Sequence, residues 1–283
     1  MQIFYILIVM LGLLPLLIGL YRLKPASGSL GLKSQIGSVL LCALGFNLTF
    51  FWQELWLVIP KALTPGLEAT LYHNNHDWTG DLPIAELLQG TGAIATLASG
   101  ILFAMGIKFI GANIPTWRQF FFWMAFQGLF QSLTQLAIGT LLTGNDVGRA
   151  LSYLEMGDMT KKSLLVLTVL AMALCGLWLA RLYSGSTMGS AGKYDRSFAY
   201  LMIIVTMVSI ILIIPFRVPR NIIEVGLIPF FVNFVGLAWL ILGATFVNKG
   251  GLDQQNPEVR GPAIALILTL IFFQFVLRPG VTF

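Results

Sequence analysis

Apolar runs of roughly twenty residues recur along the chain, at about 2–22, 36–60, 84–107, 117–142, 162–184, 197–216, 224–247 and 261–279, with short polar stretches between them. A helix needs about 20 mostly apolar residues to cross the hydrocarbon of a bilayer. The pattern therefore predicts an all-α fold, a polytopic transmembrane helical bundle with about eight spans. No long polar segment interrupts the series, so residues 1–283 read as a single integral membrane domain without a linker or a convincing internal repeat. The first run lacks the charged flank and small-residue cleavage site of a signal peptide and reads as the first helix. The fourth and seventh runs are the least uniform, because amide side chains interrupt them.

Composition supports the lipid reading. The chain is 57% apolar and only 10% charged, against roughly 25% charged residues in an ordinary soluble domain. Such a chain cannot clothe itself in charge, and the bilayer is its expected partner. The net charge of +5 sits in short loops, with no basic cluster interleaved with aromatics, so nucleic acid is not expected. Cys42 and Cys175 both fall within apolar runs, where a thiol is an inert packing residue.

The distribution of loop charge sets an orientation. Odd-numbered loops carry ten basic residues: Arg22, Lys24, Lys33, Lys108, Arg118, Arg181, Lys193, Arg196, Lys249 and Arg260. Even-numbered loops and the C-terminal segment carry seven: Lys61, Arg149, Lys161, Lys162, Arg217, Arg220 and Arg278. Basic loops favour the cytoplasm, so both termini and the even loops are expected on the non-cytoplasmic side.

Two patterns inside the spans go beyond hydropathy. Gly92, Thr96, Gly100 and Ala104 recur every four residues, a seam along which two helix backbones can approach closely. The other pattern is polar. Asn47, Gln53 and Glu54 lie in the second span, Gln127, Gln131 and Gln135 recur at i, i+4 and i+8 in the fourth, and Asn233 lies in the seventh. Polar groups at membrane depth face protein or water. These seven define an expected polar interior, with Glu54 within reach of the glutamine stripe. Pro229 is a candidate helix break, and Gln274 with Arg278 adds polarity to the eighth span.

The second loop, K-A-L-T-P-G-L-E-A-T-L-Y-H-N-N-H-D-W-T-G-D-L-P, contains both histidines of the chain, His73 and His76. With Asp77 beside them, and Glu54 or Asp146 at span ends on the same side, they form a candidate mixed nitrogen–oxygen shell for a divalent metal. The competing reading is an interfacial turn whose histidines bond backbone carbonyls and hold Trp78 at the headgroups. Thr143 or Asn145 is a candidate cap for a short helix beginning near Asp146.

The run Gln53-Glu54-Leu55-Trp56-Leu57 resembles the position at which the site-2 protease family of intramembrane metalloproteases carries H-E-x-x-H, and Asp146 follows 92 residues later, at the fourth span, as that family's third ligand does. The resemblance implies a catalytic role for Glu54 and a metal-ligand role for Asp146. Gln53 and Leu57 replace both histidines of the motif, and Val147 replaces the glycine that usually follows the aspartate, so the implied relative is a degenerate one, unable to hold zinc in the family's manner.

Three functions follow from these residues. The leading one is a non-catalytic integral membrane subunit or scaffold with a polar intramembrane interior, packed within itself or against other membrane subunits. The alternatives are a membrane-embedded, metal-dependent hydrolase-like enzyme with a site at the outer face, and a small-solute or ion transporter.

Overall fold

The computed structural model describes residues 8–26, 35–111, 114–183, 194–217, 222–247 and 258–283. A π-helical turn, Ile8–Leu13, leads into α1 (Leu14–Arg22). The remaining helices are α2 (Ile36–Ala62), α3 (Ile84–Leu88), α4 (Thr91–Gly106), α5 (Pro115–Gly139), α6 (Asp146–Tyr153), α7 (Asp158–Leu182), α8 (Arg196–Ile213), α9 (Ile228–Ala244) and α10 (Arg260–Phe272). Among the described residues, six helical stretches are long and apolar enough to cross a membrane: Ile36–Ala62, Ile84–Phe109, Asp158–Leu182, Arg196–Phe216, Val225–Ala244 and Arg260–Leu277. That is fewer than the eight that the runs predict. The 25-residue α5 is made less apolar by Arg118 and four glutamines, and the first run is described only from residue 8 on. Lys33, Lys193, Arg220 and Lys249 lie outside the described residues.

The amide-bearing helix is also the central one. From Phe122 to Thr134 every residue of α5 is buried, and α2, α4, α7 and α9 pack around it. The small-residue seam of α4 lies against α5. A Cβ on Gly100 would stand 2.6 Å from Leu129 N, and one on Gly128 2.7 Å from the Gly100 Cα, so only glycine permits this crossing. A second crossing joins α7 and α9, where a Cβ on Gly176 would stand 2.2 Å from Trp239 O.

The connecting segments gather at two ends. At one end, Lys24 O accepts from Arg196 N at 3.0 Å, the Arg22 guanidinium lies 4.4 Å from the Phe246 ring centre, and Thr116 Oγ1 accepts from Glu258 N at 3.0 Å. The other end carries an element absent from the all-α expectation. Strands β1 (Glu68–Leu71) and β2 (His76–Thr79) form an antiparallel hairpin with Leu71 opposite His76. A third strand, β3 (Val281–Thr282), pairs antiparallel with β1. Tyr72 N donates to Asn75 O at 2.9 Å to close the turn, and Gly80, at φ +107°, passes so near Gly66 O that a Cβ would stand 2.2 Å from it. The small sheet sits on the ends of α2 and the α10 segment through Val58, Ala69, Leu71, Phe273 and Leu277.

Candidate functional site

The sheet cap lowers one histidine into the bundle. Side chains alternate along a strand, so His76 and Trp78 point one way and Asp77 the other. His76 Nδ1 lies 2.7 Å from Glu54 Oε2, and its Nε2 lies 3.1 Å from Gln89 Oε1. Glu54 and Gln89 are buried. A ring facing a carboxylate on one nitrogen and an amide oxygen on the other donates from both. Burial opposes that charged form, but the Glu54 hydrogen bond and charge, reinforced by Asp146, outweigh it and raise the His76 pKa against the opposing charge of Lys61.

Other charges complete the cluster. The buried Lys61 ammonium, in the last turn of α2, donates to Leu57 O at 2.8 Å and stands 4.9 Å from the Trp78 ring centre. Trp78 in turn stacks on His76 with centroids 5.8 Å apart. Asp146 opens α6, whose cap is Asn145: its side chain accepts from Gly148 N at 2.7 Å and donates to Gln135 O at 3.1 Å. Burial raises the Asp146 pKa, and Glu54 adds to the rise, against the pull of His76, Lys61 and Arg149.

Beneath this cluster lies the glutamine stripe. The sequence led to Glu54 as its neighbour on α2, but the hydrogen-bond partner is Gln53: Gln53 Oε1 accepts from both Gln131 Nε2 and Gln135 Nε2, each at 2.6 Å. One turn deeper, Gln127 Nε2 donates to Asn233 Oδ1, and Asn233 Nδ2 donates to Pro229 O, each at 2.8 Å. Cys42, Thr206 and Ser209 surround the same level. Deeper again, Ser38 Oγ accepts from Gln119 Nε2 at 2.8 Å and from Trp123 Nε1 at 3.2 Å. A polar seam thus follows α2 and α5 from Ser38 to the cap. Asn47 is buried but stands apart from it, donating to Ala43 O of its own helix at 2.8 Å. Four buried atoms of α5 have no hydrogen-bond partner among the described residues: Gln127 Oε1, Gln131 Oε1, Thr134 Oγ1 and Gln135 Oε1.

The expected metal shell is not assembled. His73 and His76 flank the hairpin turn and turn to different neighbours. His73 Nε2 donates to Phe216 O at 2.8 Å, and its ring stacks on Phe273 at 5.1 Å. Burial lowers the His73 pKa to about 4 against the Phe216 carbonyl, with Arg217 and Arg278 adding to the fall. Asp77 is exposed and accepts from Trp78 N at 2.8 Å. Among the described residues, no three His, Cys, Asp or Glu side chains converge to hold an ion. The interfacial-turn reading fits His73, which bonds a backbone carbonyl, but not His76, which bonds a carboxylate.

Gln89, Lys61, Cys42, Thr206 and Ser209 are additions to the candidate set. Ser38, Cys42, Thr49 and Gln53 recur at i, i+4, i+11 and i+15, a helical stripe legible in the sequence. Nothing in the sequence marks Gln89. Comparison with protein-family models, with curated proteins and with solved structures finds no match for this chain.

Proposed function

We propose that this chain is a multi-pass membrane carrier of a small solute or ion, with Glu54 and His76 as its proton-binding pair. The observation that carries the reading is the set of unfilled hydrogen-bond positions on α5. Polar residues that only glue helices together saturate one another, whereas an unpaired buried donor or acceptor costs about 1–3 kcal/mol. In this seam Gln127, Gln131 and Gln135 each leave a carbonyl oxygen unfilled. The seam leads from mid-bundle to a titratable pair at one end, the arrangement a proton-linked path requires. The start of α9 also fits: a π-helical turn, Ile223–Leu227, runs into the helix ahead of Pro229 and Asn233, and such turns occur often at functional sites.

The topology belongs to the same proposal. Counting α5 and the N-terminal helix as crossings gives eight spans. That count is supported by the segregation of odd connections to one end and even connections, with β3, to the other. Loop charge favours the capped end as the non-cytoplasmic one, together with both termini.

Purified protein in vesicles enclosing a pH-sensitive dye tests the reading. Imposed proton gradients should dissipate faster than in protein-free vesicles, and E54Q should abolish the difference. Equal rates in wild-type and protein-free vesicles would refute the carrier. A packing subunit would then be the better reading, favoured by the glycine crossings of α4 with α5 and α7 with α9.

A further inference from the structure

At the end of the bundle opposite the cap, α4, α5 and α7 leave a recess between them. It is lined by Ile107 of the turn that follows α4, by Arg118, Gln119 and Phe122 of α5, and by Leu182 and Tyr183 at the end of α7. Half of this lining is polar and none of it is acidic. The Arg118 guanidinium donates from Nη1 to Ile110 O at 3.1 Å. Tyr183 is 5% exposed, and its ring packs against Phe122 and Phe198 with centroids at 4.8 and 5.4 Å. Its hydroxyl has no hydrogen-bond partner among the described residues, although a buried phenol usually finds one. Gln119 spends an amide hydrogen on Ser38 Oγ at 2.8 Å and carries a second hydrogen and an oxygen. The sequence neighbours add positive charge: Lys108 follows Ile107, Arg181 precedes Leu182, and both are exposed. Asp195 and Glu258, acids of the same end, do not line the recess.

We propose that this recess binds a phosphate oxyanion, carried by an anionic phospholipid headgroup or present as free phosphate. A guanidinium and an unspent phenolic hydrogen at one recess are donors suited to an oxyanion, and charge strengthens such bonds. Gln119, with a hydrogen and an oxygen, matches a phosphate ligand that also bears a hydroxyl. The enclosed part of the recess takes about one water-sized group. It therefore seats an oxygen of the phosphate and leaves the remainder of the ligand outside. The level in the bilayer agrees. Trp117, beside Arg118, is 57% exposed, and tryptophan concentrates at the headgroup layer. Loop charge favours this end as the cytoplasmic one, the side on which basic pockets between spans bind lipid phosphates.

Thermal unfolding of the detergent-purified protein tests the recess without transport. A ligand that binds only the folded state raises the midpoint with concentration. Phosphatidylglycerol added to the micelles should raise the midpoint above that in phosphatidylcholine at the same mole fraction. Y183F, which removes the hydroxyl and keeps the ring packing, should weaken the apparent Kd by about tenfold. R118Q should remove the shift. Sodium phosphate compared with sodium chloride of equal ionic strength tells the two sources apart. A rise that Y183F weakens, seen with the lipid alone, supports the headgroup as ligand; seen with phosphate alone, it supports the free anion; seen with both, it supports the shared chemistry. Equal midpoints in both comparisons would overturn the proposal. A rise that Y183F leaves intact would overturn it as well, because general attraction to a basic surface would then account for it.

Discussion

Gln53 and Glu54 are consecutive residues of one helix, yet they belong to two separate polar networks. Gln53 accepts from Gln131 and Gln135 within the bundle, while Glu54 meets His76, which descends from the sheet cap. A helix turns about 100° per residue, so neighbours in sequence serve different partners. The arrangement sets a buried carboxylate–imidazole pair directly beside an amide layer, and each can be altered without removing a hydrogen bond of the other.

Removing one member of the ion pair should cost more than removing both. His76→Ala leaves the buried Glu54 carboxylate uncompensated, which typically destabilises by about 3–5 kcal/mol. Adding Glu54→Leu to that variant should recover part of the loss, because the stranded charge is then gone. Denaturant unfolding of the purified variants reads the difference. Strictly additive losses would show that the pair is not coupled.

The two histidines should impose opposite slopes on stability against pH. The pKa of His73 falls to about 4 on folding, so the unfolded chain binds its proton first and stability declines as pH drops from about 6.5 toward 4. The size of that decline is on the order of 2–3 kcal/mol. His76 is raised, so its contribution is fully present below about 6.5 and is lost as pH rises through its folded pKa. His73→Phe should flatten the acid limb alone, since Gln274 Nε2 still donates to Phe216 O at 2.7 Å. An unchanged acid limb in that variant would contradict the assignment.

Glycine positions should divide sharply. Gly100→Ala and Gly176→Ala place a methyl group against backbone that has no room to move, so both should lower the unfolding midpoint and the yield of monodisperse protein. Gly144→Ala and Gly157→Ala meet nothing within 4 Å and should change stability by no more than about 0.5 kcal/mol. Comparable losses at all four sites would argue against the close crossings.

Metal content offers a further check. Because His73 bonds Phe216 O and Asp77 is exposed, both apart from the cluster that holds His76 and Asp146, elemental analysis of the purified protein should find zinc, iron and manganese well below one per chain. Stoichiometric metal that disappears in the His73→Ala, His76→Ala double variant would restore the hydrolase-like reading.

The sidedness of the cap is open to direct labelling. A cysteine at the exposed Thr79 should react with a membrane-impermeant thiol reagent in intact cells, with the unsubstituted protein as the background for Cys42 and Cys175. Reaction only after lysis would invert the orientation.

The bundle was legible in the sequence because lipid imposes one demand, apolar length, on every crossing helix. The stripe of Gln127, Gln131 and Gln135 was legible for a related reason, since helical spacing alone places them on one side. The cap was not. Its strands have four, four and two residues, and pairing between Thr70 and Thr282 across 212 positions leaves no periodic signal. Without the cap, the destination of each histidine was equally hidden. Two histidines three apart suggest a shared site, yet the turn between them sends His73 against Phe273 and His76 to Glu54. The partner of the acid in the second span was hidden in the same way, because the cap that brings His76 to Glu54 leaves no mark in the spacing of the spans.

The pairing of β1 with β3 also fixes an order of events during synthesis. A chain inserted from its N-terminal side delivers the β1–β2 hairpin long before β3, with most of the bundle still to be made. Until α10 is in place and β3 follows it, β1 has an open edge, and the hairpin that presents His76 to Glu54 lacks one neighbour. The Glu54–His76 contact therefore acquires its complete cover last, and a bundle whose late helices fail to insert is left with an open strand edge, a template for pairing with other chains.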